Sequence, residues 1–151
     1  MPLPRHYLLV DGHSVIYAWP ELRQLHQTKP AQARLQLVSL LQQLQDSSDW
    51  RVTVVFDGRF GTTPVRRQGD LVEAYSTADE TADSIIERLT SSSGKAEQIL
   101  VITADTAERN TVESLGAECA SPEWLERELE SQSLSLQQSL HHVHRQAKWS
   151  Q

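Results

Sequence analysis

The sequence predicts an α/β domain built on a mainly parallel sheet, and three observations carry that prediction. Short apolar runs rich in Val, Ile and Leu recur at residues 6–10, 51–56 and 98–103, the pattern of strands buried on both faces. Segments of helical periodicity separate them, as crossover connections between parallel strands require. Each run is followed at once, or within two residues, by an aspartate: Asp11, Asp57 and Asp105.

In chain order, the first run delivers Asp11. Lys29-Pro30 then breaks the chain, because the residue before a proline is pushed out of the helical region. Beyond the break Leu35, Val38, Leu41 and Leu44 recur at helical spacing and predict a crossover helix. The second run closes on Asp57. Residues 58–69 are polar and punctuated by glycine, and are expected to form a loop too long for a simple turn, carrying Arg59, Arg66 and Arg67. A short strand at 72–75 follows, then a helix whose buried stripe is Ala82, Ile85, Ile86 and Leu89, with Thr77 and Glu80 fitting a capping box. After the run at 98–103, Asp105 can cap a helix entering 106–109, and a further strand is placed near 117–120. Ser121-Pro122 is an N-cap followed by proline at the first helical position, opening a helix that turns Trp124, Leu125 and Leu129 inward. From about residue 131 the chain becomes Ser/Gln-rich and is taken as a helical tail. His141, His142 and His144 lie there without a partnering cysteine or carboxylate cluster, so a solvated tail is expected rather than a metal site.

At 151 residues and 38% apolar content the chain fits one core, and a single domain spanning 1–151 is expected. Cys119 is alone, which excludes an internal disulfide, and is expected to be a small buried core residue. With no charged-then-apolar leader and no membrane-spanning apolar stretch, the expected location is the cytosol, away from any membrane. A net charge of −6 argues against a uniformly basic nucleic-acid coat. It leaves room for a local acidic site that divalent cations neutralise.

In a parallel sheet the carboxyl ends of the strands lie on one side, so Asp11, Asp57 and Asp105 are predicted to gather there. Carboxylates brought that close repel one another unless cations sit between them, which points to oxygen-ligated Mg²⁺ or Mn²⁺. On a helix starting near Thr77, Glu80 and Asp83 share a face and can join the group. Each acid taken singly is an ordinary helix cap; convergence from three strands and one helix start is what favours a site. The candidate catalytic set is therefore Asp11, Asp57, Glu80, Asp83 and Asp105. Asp11, Asp57, Asp83 and Asp105 act as metal ligands, and Glu80 binds metal or orients water. Arg59, Arg66 and Arg67 are the candidates for gripping backbone phosphates.

The series Asp11-Gly12-His13-Ser14-Val15-Ile16, Val55-Phe56-Asp57-Gly58, Glu80-Thr81-Ala82-Asp83 and Thr103-Ala104-Asp105, with Ala18-Trp19-Pro20-Glu21-Leu22 after the first motif, resembles the YacP-like branch of the NYN domains within the PIN-like nucleases. The resemblance implies a PIN-like three-layer α/β/α domain with strand order 3-2-1-4-5. It also implies metal-dependent endoribonuclease activity at the matching acids, with RNA, including mRNA on the ribosome, as the partner. The chain departs from the family's usual Asp-Gly-Tyr-Asn at His13 and Ser14, and has Ala104 where a serine is common. His13 and Ser14 are counted with the arginines as candidate RNA contacts, and Ser14 can also cap the following helix. Two other classes compete. One is a non-catalytic RNA-binding or ribosome-associated module of the same fold. The other is a haloacid dehalogenase type phosphatase, which expects a second aspartate where His13 stands.

Overall fold

The computed structural model describes residues 6–58, 65–68, 71–77 and 79–132. Its strands are β1 (His6–Asp11), β2 (Trp50–Phe56), β3 (Val65–Gln68), β4 (Leu71–Tyr75), β5 (Ile99–Ile102) and β6 (Glu118–Ala120). The helices are α1 (Gly12–Ala18), α2 (Pro20–Thr28), α3 (Pro30–Ser47), α4 (Ala82–Ser92), α5 (Thr106–Ser114) and α6, residues 122–132. All six strands share one sheet in the order β3-β4-β2-β1-β5-β6. The pairs β4–β2, β2–β1, β1–β5 and β5–β6 are parallel, so the five strands read from the sequence stand in the 3-2-1-4-5 order.

Strand alternation explains the three layers. Leu8 and Val10 of β1, with Val52, Val54 and Phe56 of β2, point to one face, where Val15, Ile16, Leu22, Leu37, Leu41 and Leu125 from α1, α2, α3 and α6 cover them. Leu9 and Val55 point to the other face, against Ile85 and Ile86 of α4 and Val112 of α5. The two segment breaks work as expected. Lys29 ends α2 and precedes Pro30 at the start of α3, and the Ser121 hydroxyl accepts from Trp124 N at 3.1 Å to cap α6. The buried Trp19 indole donates to the Pro122 carbonyl at 3.0 Å, tying the junction of α1 and α2 to the start of α6.

Three expectations are corrected. Residues 65–68 are an edge strand antiparallel to β4, with Arg66 opposite Glu73 and Arg67 opposite Val72, rather than part of one long loop. The signal was Gly69-Asp70 between two extended runs, the composition of a two-residue hairpin connection. Leu35 is 55% exposed, and the inward stripe of α3 is Ala33, Leu37, Val38, Leu41 and Leu44. Leu35 lies two positions, about 200°, from Leu37 and so faces away. Cys119 is half-buried, its thiol 3.8 Å from the Arg109 carbonyl, because β6 is the sheet's outer strand. Burial still pushes that thiol up to about 11. Most of the tail foreseen from about residue 131, including His141, His142 and His144, lies outside the described residues; 131 and 132 belong to α6.

Candidate metal centre

Asp11 is both the last residue of β1 and the N-cap of α1. One of its oxygens accepts from Ser14 N at 3.4 Å; the other accepts from Ser14 Oγ at 2.8 Å and Thr103 Oγ1 at 3.3 Å. Ser14 Oγ in turn accepts from Ala104 N at 3.1 Å. One short side chain thus fixes the Asp11 carboxylate and locks the turn after β1 to the turn after β5. Asp105 caps α5, its Oδ1 accepting from Ala107 N at 2.9 Å and Glu108 N at 3.3 Å. This is the capping role open to it from the sequence, and it leaves Asp105 on the cleft wall.

Asp57 follows β2. Its Oδ1 accepts from Ser76 Oγ at 3.2 Å, and the same hydroxyl accepts from Gly58 N at 2.8 Å. Each Asp-Gly pair needs its glycine. A Cβ at Gly58 would collide with the Ser76 carbonyl, and one at Gly12 would lie 2.5 Å from the fully buried Phe56 ring.

Asp83 sits in the first turn of α4, whose N-cap is Thr81, with Thr81 Oγ1 accepting from Ser84 N at 3.1 Å. Carboxylate oxygens of Asp11, Asp83 and Glu108 all lie within 4.8 Å of one another, the one such group among the described residues. Glu108 is 2% exposed, and neither of its oxygens has a hydrogen-bond donor. Burial first, and then the Asp83 and Asp11 carboxylates, push its acid up to about 10.

Glu108 was missed in the sequence because Asp105-Thr106-Ala107-Glu108 has the spacing of a cap and its third-position acid. The signal that could have found it is Val112. Four residues on, Val112 is fully buried, so Glu108 occupies the inward face of α5. Glu80 shows the reverse. It closes a tight turn with Thr77 through backbone bonds of 3.1 and 3.3 Å, and α4 starts only at Ala82. It therefore shares no helix face with Asp83, and its carboxylate pairs with Arg88 at 2.8 Å. Thr81, not Thr77, takes the cap, since its hydroxyl is the one aligned with the first turn.

Asp11, Asp57, Asp83 and Asp105 border one cleft of about 1090 Å³, together with His13 and Ser14. Arg66 and Arg67 stand on the edge strand β3; Arg59 lies outside the described residues. An all-oxygen donor set containing a buried glutamate with two unpartnered oxygens fits a hard divalent cation such as Mg²⁺ or Mn²⁺.

Comparison with known proteins finds relatives in both sequence and fold. The chain is 36% identical over 127 residues to YacP of Bacillus subtilis (strain 168), which covers 82% of this chain and 75% of that protein. A crystal structure of Rae1 (YacP) from Bacillus subtilis superposes with a TM-score of 0.80 at 29% identity, covering 95% of this chain and 84% of that one. Its W164L mutant gives 0.80 at 30% identity, over 91% and 82%. The YacP-like NYN domain model matches residues 8–151, and the chain belongs to that family, whose fold is nuclease-like.

Proposed function

We propose that this protein is a divalent-metal-dependent endoribonuclease that hydrolyses phosphodiester bonds in RNA. The observation that carries the reading is the meeting of Asp11, Asp83 and Glu108 within 4.8 Å, where Asp11 and Asp83 also line an acidic cleft. These three residues would hold the ion. Bound Mg²⁺ or Mn²⁺ supplies the charge that activates water and stabilises developing charge on phosphate oxygens.

The chain's own contribution is positioning. Ser14 and Thr103 orient Asp11, Ser76 orients Asp57, and the buried face of α5 carries Glu108 to the other two acids. Glu108 must give up its proton to bind a cation, which couples metal binding to proton release. Asp57 and Asp105, which line the cleft, would act through water or on a second ion. Arg66 and Arg67, with Arg59, offset the acidic surroundings as phosphate contacts. A lone cysteine suits a reducing cytosol, and no described helix is long and apolar enough to cross a membrane.

One observation favours a second reading, an RNA-binding module without turnover. Both Asp11 oxygens already accept bonds from Ser14 and Thr103, as an ordinary helix cap would. Cleavage of a labelled single-stranded RNA in Mn²⁺ separates the two. On the endonuclease reading Asp83→Asn lowers turnover at least about 100-fold with the fold retained by circular dichroism. Metal and RNA binding by the parent without cleavage would instead support the module.

A further inference from the structure

The cleft has an aromatic wall that the acidic centre does not use. Tyr17 lies one helical turn beyond His13 on α1, and the two rings stack with centroids 6.1 Å apart and planes at 25°. His26 of α2 meets both edge-on, 5.6 Å from Tyr17 and 6.2 Å from His13. Neither His13 Nε2 nor His26 Nδ1 has a hydrogen-bond partner, so no bond from those atoms explains the cluster as a structural unit. The core is served by other residues of α1, Val15 and Ile16. Tyr17 is 55% exposed and lines the same cleft as Asp11, Asp57 and Asp83. A large ring braced by two imidazoles and left open to solvent beside a catalytic cleft is a surface suited to a flat, apolar-faced ligand.

We propose that Tyr17, backed by His13 and His26, is a stacking platform for one unpaired nucleobase of an RNA whose backbone crosses the acidic centre. The proposal rests on the RNA reading above and adds a substrate class to it: single-stranded rather than duplex RNA. Every nucleobase has a π face, so the platform grips without choosing sequence. A tyrosine has few rotatable bonds to freeze, and here its neighbours restrict it further. Bases inside a duplex are already stacked on both faces and cannot reach the ring.

The test is fluorescence anisotropy in Ca²⁺ with three probes: a short single-stranded RNA, the same RNA carrying abasic sites, and its duplex. The parent binds the single strand most tightly, and Tyr17→Ala weakens that binding about 10-fold. Tyr17→Phe keeps the ring and recovers most of the affinity. The abasic strand binds parent and Tyr17→Ala alike. Parental affinity in Tyr17→Ala, an equal loss on the abasic strand, or a parent preference for duplex overturns the platform. A parent that binds RNA through Tyr17 but never cleaves it in Mn²⁺ upholds the platform and overturns the nuclease reading. A parent that binds none of the probes overturns both.

Discussion

Glu108 is the residue on which the proposed metal chemistry turns, since it is a buried acid facing two others and neither of its oxygens has a hydrogen-bond partner. Its acid moves from the usual 4.5 to about 10 on folding, so between those values the folded protein holds a proton that the unfolded chain has lost. Its contribution to stability is therefore complete below about 4.5 and declines as pH rises toward about 10. In metal-free buffer Glu108→Gln should flatten that decline and raise stability at neutral pH by roughly 1–3 kcal/mol, because the neutral amide takes its place beside Asp11 and Asp83 without the uptake of a proton on folding. Urea unfolding across pH checks it; a variant less stable than the parent at pH 8 would contradict the assignment. Gly58→Ala is expected to cost about 1–3 kcal/mol, because its Cβ would overlap the Ser76 backbone, and to lower cleavage by shifting Asp57. At this scale Asp11, Asp57, Asp83 and Asp105 were legible as acids at strand ends or a helix start. Glu108 was masked by its resemblance to a cap acid, and Glu80 seemed to share a helix with Asp83 that in fact begins two residues later.

Among the elements, the five parallel strands could be placed, β1, β2 and β5 from their apolar runs between helical periods, while their order was implied by the family resemblance alone. The sixth was missed. β3 is short, polar and at the edge, where pairing with β4 rather than burial decides the conformation, so no hydrophobic pattern marks it. Its placement changes how the arginines are understood: Arg66 and Arg67 ride on a hydrogen-bonded strand whose register fixes them opposite Glu73 and Val72. Replacing both with alanine should weaken RNA binding and reduce its salt slope by about 1–2, with little effect on metal affinity. Anisotropy over a salt series measures this; an unchanged slope would make them ordinary surface charges.

Across the whole molecule, the parallel sheet does two jobs at once. Its apolar interior, covered by α1, α2, α3 and α6 on one face and α4 and α5 on the other, supplies the rigidity that holds mutually repelling carboxylates together. Its carboxyl edge then collects acids from positions as far apart in sequence as Asp11 and Glu108. An ion that binds only the folded state should raise the melting temperature, and go on raising it logarithmically as its concentration exceeds the dissociation constant, and Asp83→Asn should abolish most of that shift. The most direct test of the central claim is a crystal grown in Mn²⁺ and measured at a wavelength where manganese scatters anomalously. The account predicts an anomalous peak coordinated by Asp11, Asp83 and Glu108. A well-ordered cleft with manganese elsewhere, or with the three carboxylates turned apart and no peak between them, would contradict it.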